Sequence, residues 1–190
     1  MVLRGTVMKT VSYKITNPYS DVAGLLGNAD NHYKTNLHTH STYSDANNTM
    51  ADMIAGFYDN DFDILAFAEH GIFGKEWDKT PTIIPLFFFQ YLWHGKRRHL
   101  TTEEYRAVLS GTYKTDKNLR TKKRGLMCVP RAIEANMFTL MKNHVNGYFT
   151  DDACEGIYGK ENDFEEPIKK IEKSGGISHI NHPTDWLGAS

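Results

Sequence analysis

Asn36-Leu-His38-Thr-His40-Ser-Thr-Tyr-Ser-Asp45 is the stretch on which the fold and chemistry of this chain turn. In a strand alternate side chains share a face, so His38 and His40 point the same way and can close on one metal ion. Asp45 follows in a loop rich in Ser, Asp and Asn, where a carboxylate can fold back over the pair. A lone histidine is more often an ordinary surface or core residue, and His-x-His arises by chance. The weight therefore falls on the segments downstream.

Three further segments repeat one design, an apolar β-like run that ends in a side chain able to bind metal. Asp63-Ile-Leu-Ala-Phe-Ala-Glu69-His70-Gly ends in Glu69 and His70, with a glycine that permits a tight turn. Gly125-Leu-Met-Cys-Val-Pro-Arg-Ala-Ile-Glu134 ends in a carboxylate, and Asn143-His144-Val-Asn-Gly-Tyr-Phe adds a histidine. Gly175-Gly-Ile-Ser-His-Ile-Asn-His182-Pro ends in another. A buried strand with a polar cap accounts for any one of these. Together they point to oxygen and imidazole donors gathered around Zn, Mn or Fe ions, with positions left open for water and substrate.

These segments resemble, in content and in order, those of the PHP (polymerase and histidinol phosphatase) family. The family's motifs are a Leu-His-x-His-Ser-x-x-Ser-Asp opening, an x-Asp-His-Gly segment, a Glu-bearing third strand, a His-Val/Ile-Leu-Gly-Tyr segment and a His-Pro segment. Here they fall at Leu37 to Asp45, Ala68 to Gly71, Ile133-Glu134, His144 to Tyr148 and His182-Pro183. The resemblance implies a distorted (β/α)7 TIM-like barrel and a site of two or three divalent ions. It also implies the ligands: His38, His40 and Glu134 on one ion, Glu134 bridging to a second held by His144 and His182, and Asp45 with His70 at a third position. A metal-activated water is the implied nucleophile, with no side-chain nucleophile assigned.

Three departures stand out. Glu69 replaces the family's Asp before the second-segment histidine, which touches a supporting contact rather than a ligand. Asn146 stands where Leu is commoner, a minor change. Family members also carry a last Asp-x-His strand well beyond His-Pro, whereas this sequence stops at Ser190. The expectation is a barrel incomplete at its C-terminus, with residues 1–30 as a peripheral segment and 31–190 as the PHP-like domain.

Alternating patterns agree with strands joined by helices. Lys34 to His38, Phe62 to Ala68 and Gly176 to Asn181 read as strands. Thr49-Met-Ala-Asp52 opens a helix whose Met50, Met53, Ile54 and Phe57 share a face, and Asp163 to Ser174 reads as a helix with acids early and lysines late. Alternation of this kind favours parallel strands, with chemistry at their C-terminal ends. Val11, Tyr13 and Ile15 suggest an outlying strand near the start. An insertion at about 72–123 separates the second and third motif strands and suggests a lobe over the metal face. Within it, Thr82 to Trp93 suits an apolar helix, and Thr101 to Gly111 a second one.

Composition excludes several partners. With 22 Lys and Arg against 23 Asp and Glu the net charge is -1, which gives no overall attraction to nucleic acid or to an anionic membrane. No stretch has the apolar length of a membrane span or a secretion signal, so a cytoplasmic location is expected. Two cysteines make no disulfide framework: Cys128 reads as a small core residue, and Cys154, among Asp151, Asp152 and Glu155, lacks neighbours that would activate it. Locally, Lys96 to His99 and Lys114 to Arg124 are basic, either solvated loops or a rim that recruits phosphate, with Arg97 and Arg98 as candidate substrate contacts. The expected function is a metal-dependent phosphoesterase acting on a small phosphate ester or nucleotide rather than on long nucleic acid. The alternative is a non-catalytic metal-binding or regulatory fragment.

Overall fold

Ile64, Leu65 and Ala66 form the central strand of a small parallel sheet, and the apolar run of the sequence places them there. The computed structural model describes residues 32–83, 95–135, 144–151 and 164–182, and elements are numbered through these. The chain divides at His32/Tyr33 into two compact units, and all the described elements belong to the second, 33–190. In the first sheet β1 (Thr35–Asn36), β2 (Ile64–Ala66) and β5 (Met127–Val129) run parallel in the order β1-β2-β5. Thr35 lies opposite Ile64, and Ile64 opposite Met127.

Helix α1 (Met50–Asp59) makes the crossover from β1 to β2. Thr49 and Asp52 close a reciprocal capping box at its start, and Met50, Ile54 and Tyr58, four apart, are buried along one stripe. Each such burial is worth about 1.5–3 kcal/mol relative to exposure. The stripe packs into a core of Tyr43, Leu65, Phe67, Ile72, Trp77, Leu100, Val108 and Leu126. Several of these come from the interval 72–123, which carries the antiparallel ribbon β3 (Ile72–Phe73) and β4 (Thr82–Ile83) and helix α2 (Thr102–Ser110). A Thr101/Glu104 capping box starts α2, and Gly111, at φ 78, ends it. A Cβ at Gly111 would lie 2.2 Å from the carbonyl oxygen of Lys123, so only glycine fits. The apolar helix expected from Thr82 to Trp93 falls largely outside the described residues, as do Cys154, Pro183 and the Val11–Ile15 pattern.

A second sheet holds β6 (Ile133–Ala135), β7 (Val145–Tyr148) and β8 (Ile177–Ile180), antiparallel in that order. Helix α3 (Glu165–Lys173) has Glu165 and Glu166 in its first turn and Lys170 and Lys173 in its last, as its macrodipole favours. Its Ile171 is buried against Ala135 and Val145.

The expected (β/α)7 barrel is not formed: the described residues make a three-stranded parallel sheet, two small antiparallel sheets and three helices, with no closed ring. Two local causes are visible. The run Gly125 to Glu134, expected as one strand, is cut into β5 and β6 at Pro130, which lacks an N–H, and Arg131, which adopts φ 53. In addition, the interval 136–144 is shorter than the dozen or so residues that a parallel crossover takes, so β6 and β7 pair antiparallel. Even α3, which lies between β7 and β8, links antiparallel strands. The parallel strands expected from alternation along the chain are found in β1-β2-β5, whereas β6-β7-β8 are antiparallel.

The two larger sheets are joined through the backbone beside Glu134. The N–H of Glu134 donates to the carbonyl oxygen of Glu69 at 3.0 Å, and His70 and Glu134 form a parallel bridge. No helix among the described residues is long and apolar enough to cross a membrane.

Candidate metal centre

Strand β1 stops at Asn36, and Asn36 Oδ1 accepts from the His38 N–H at 2.9 Å as the chain leaves the sheet. His38 and His40 still converge, with their Nε2 atoms 3.0 Å apart. The turn Thr42 to Asp45 then folds back, closed by the Ser44 and Ala46 N–H groups on the Ser41 carbonyl at 3.0 and 3.2 Å. Asp45 so returned lies 3.6 Å from His40 Nδ1 and 3.5 Å from His70 Nε2. His70 follows β2, His144 precedes β7, and His182 follows β8. His182 adopts φ 47, a left-handed conformation uncommon outside glycine, though histidine tolerates it better than most residues.

Glu134, in the middle of β6 and fully buried, is the hub. His38 Nε2, His40 Nε2 and His70 Nδ1 stand 3.1, 3.2 and 3.1 Å from its Oε2. His144 Nδ1 and His182 Nε2 stand 2.8 and 3.7 Å from Oε1. The five imidazoles form a closed circuit around this carboxylate, in the order 38, 40, 70, 144, 182 and back to 38, with successive ring centroids 4.5–5.6 Å apart.

The donors suit divalent metal ions. Oε2 of Glu134 is buried without a hydrogen bond of acceptable geometry, despite three ring nitrogens around it. A tetrahedral site with metal–nitrogen bonds of about 2.0–2.1 Å has edges of roughly 3.3 Å. The triangle of His38 Nε2, His40 Nε2 and Glu134 Oε2, with sides of 3.0–3.2 Å, is close to one face of such a site. Three donor groups have their ligand atoms within 4.8 Å of one another: His38–His40–Glu134, His40–Asp45–His70 and His70–Glu134–His144. These groups could hold metal ions, and they include all the candidate ligands from the sequence except His182, which approaches Glu134 at their edge.

The local field favours positive charge. Burial pushes the Glu134 carboxyl up, but contacts with His144, His38 and His40 and the charge of His70 outweigh it and hold the group far below the usual carboxylate range. Asp45 is drawn down to about 2, first by its contact with His70. For His40, burial lowers the pKa, and Glu134, Glu69 and Asp45 together raise it above the usual value. Glu69 moves the other way: its burial raises it against the Ser41 and Ser44 bonds.

Supporting contacts surround the donors. Glu69 accepts the Ser41 N–H at 3.0 Å and the hydroxyls of Ser41 and Ser44, while Ser44 Oγ also lies 3.3 Å from His40 Nδ1. On the opposite side, Asn181 Nδ2 donates to Glu134 Oε1 at 2.9 Å and to Asn146 Oδ1 at 2.6 Å. Neither residue stands out in the sequence, where Asn146 is a minor departure from the family's motif. The signal available was a polar residue inside an apolar strand, Val-Asn-Gly-Tyr, which once buried demands a partner.

The basic segments have separate structural engagements. The strap 95–100 docks on the Asp45 loop, where the Lys96 carbonyl accepts from Thr42 Oγ1 and His99 Nδ1 meets Tyr43 OH, both at 2.9 Å. Arg98 Nη2 lies 2.5 Å from Glu104 Oε1, and its carbonyl accepts the Ala51 N–H at 3.0 Å. Arg97, beside it, is partly buried. Arg131, after its break in the strand, pairs with Asp151 at 2.5 Å. In the second basic cluster Lys122 and Arg124 grip Asp63, and Arg120 donates to the carbonyls of Tyr58, Phe62, Arg124 and Gly125. Cys128 packs on the main core, where burial pushes its thiol up to about 12, so it is no nucleophile.

In comparison with known proteins, no family model matches the chain and no curated sequence matches it.

Proposed function

We propose that this chain is a metal-dependent hydrolase that works with two or three divalent ions, Zn, Mn or Fe, on a small phosphate ester. The observation that carries the reading is the closed circuit of five imidazoles around one buried carboxylate, whose two oxygens face different histidines. Glu134 is suited to bridge: Oε2 serves the His38–His40 side, and Oε1 the His144–His182 side. Asp45 with His70 and His40 offers a third position.

Charge argues for an anionic substrate. Of the seven donors five are imidazoles, which bind metal in the neutral form, so Glu134 and Asp45 alone cannot neutralise two or three dications. The surplus positive charge is matched by phosphate oxygens. Divalent ions held this way supply Lewis acidity, lowering the pKa of a coordinated water and offsetting charge on phosphate oxygens. The side chains of Asp45 and His182 are about half exposed, at 49% and 45%, and mark the open edge where substrate would enter. The resemblance of the motif order to that of the PHP family supports phosphoester chemistry.

Elemental analysis of the purified chain, joined to turnover of a phosphate-ester panel with inorganic phosphate as competitor, tests this. Bound ions, turnover and competition are the expected result. Bound ions with no turnover would reduce the chain to a metal-binding protein, and turnover indifferent to phosphate would move the substrate to another ester or amide.

A further inference from the structure

Asn181, Asn146 and Tyr148 form a buried hydrogen-bond chain from Glu134 to the backbone just ahead of His38. At its far end the Tyr148 hydroxyl lies 2.9 Å from the Leu37 carbonyl oxygen, which can only accept, so the hydroxyl donates there. Its oxygen is then the acceptor for Asn146 Nδ2 at 2.9 Å. This orients the Asn146 amide and turns its Oδ1 toward Asn181 Nδ2 at 2.6 Å. The same Asn181 amide nitrogen donates to Glu134 Oε1 at 2.9 Å. The direction of each bond thus follows from one backbone carbonyl, and flipping either amide would set acceptor against acceptor. With Asn181 2%, Asn146 0% and Tyr148 6% exposed, solvent offers little substitute.

Two consequences meet at the donors. Asn181 and His144 occupy Oε1 of Glu134, which leaves Oε2 turned to His38, His40 and His70. The other end of the chain pins the carbonyl of Leu37, the residue before His38. We propose that Asn181, Asn146 and Tyr148 are positioning residues of the metal centre: they set the rotation of Glu134 and the placement of His38 together, and so tie the ion position at Oε2 to the one at Oε1. The inference rests on the proposed metal site and adds to it a specific second layer.

Tyr148→Phe and Asn181→Ala in the full chain test it, with Ile171→Val as a packing control in the sheet–helix core. Metal affinity is read by chelator competition, and coordination geometry by the visible absorption of the Co2+ form. Each relay variant should weaken binding about 10–100-fold, the usual cost of losing an outer contact to a ligand, and should change the Co2+ spectrum. Ile171→Val should lower the thermal midpoint and leave affinity and spectrum alone. Wild-type affinity and spectrum in both relay variants would overturn the relay while leaving the metal site standing. Equal losses in Ile171→Val would reduce the relay to packing. A wild-type chain that binds no ion would sink the site itself and the relay with it. If Asn181→Ala does not fold, Tyr148→Phe, which deletes one oxygen and keeps the ring, carries the test alone.

Discussion

Asp63 and Glu134 are both buried carboxylates at the margins of the sheets, and they are partnered in opposite ways. Asp63, just ahead of β2, receives Lys122 Nζ at 2.5 Å, Arg124 Nε at 2.6 Å and the Lys34 N–H at 2.7 Å. Glu134, near the far end of β2, is surrounded by imidazoles. Lysine and arginine carry permanent charge, so Asp63 is neutralised where it stands and serves as a lock between β2 and the loop that ends at Arg124. Imidazoles can give up their protons to bind metal, and in that neutral form they leave the Glu134 charge available to a cation. The chemistry of the partner, rather than burial, separates a structural carboxylate from a site carboxylate.

Exchanging charge at each pole sharpens the contrast. Glu134→Gln keeps the shape and removes the anion, and we expect metal affinity to fall by more than about 100-fold, since a direct ligand outranks the outer contacts that cost 10–100-fold. Elemental analysis after dialysis reads this, and retained metal would break the assignment of Glu134. Asp63→Asn should do the reverse. It leaves two cations without their anion and should cost about 2–3 kcal/mol in a urea titration, at or below the lower end for a broken buried pair because Lys122 and Arg124 reach solvent. Its ion content should equal that of the wild type.

Acid should separate the poles by pH. His40 has a raised pKa, so protons compete for that donor from above the ordinary imidazole value downward, and ions should leave first as pH falls. Asp63 is held at about 2: burial raises it, and the Lys122 contact, the Lys34 N–H and the Arg124 contact more than offset this. A carboxyl lowered on folding contributes stability above its unfolded value and loses it as pH falls through the folded one. The Asp63 contribution should therefore be intact above about pH 4 and fade toward pH 2, amounting to about 1–2 kcal/mol after allowance for screening at the exposed cation heads. Metal content and urea midpoint followed together should show two separate steps; a single joint step would erase the distinction. Smallest of all, Arg98→Ala removes an exposed pair with Glu104 and should shift stability by no more than about 0.5 kcal/mol, with metal content unchanged. A loss of bound ion there would extend the site into the strap.

Much of the molecule was legible in the sequence, for reasons that differ by residue. The capping box of α1, the glycine that ends α2 and the charge gradient of α3 are local signals, and local physics decides them. Apolar runs ending in His70, Glu134 and His182 point to metal donors, and the resemblance to the PHP motifs implies the full set of seven; six of these fall in groups that could hold an ion, and His182 lies 3.7 Å from Glu134. The sheet arrangement was not legible: the resemblance implied a barrel, whereas strand direction depends on connection length and on the break at Pro130-Arg131 rather than on periodicity. Nor was the lock at Asp63: Lys122 and Arg124 look like any solvated basic run until the fold sets them beside a carboxylate some 60 residues earlier. The Asn181–Asn146–Tyr148 chain has the same character, since its partners share no sequence neighbourhood with Leu37.

The bridge between His70 and Glu134 stitches the two larger sheets together at the donors themselves. The donors that would hold the ions are thus spaced by main-chain hydrogen bonding between the sheets as well as by their own side-chain contacts.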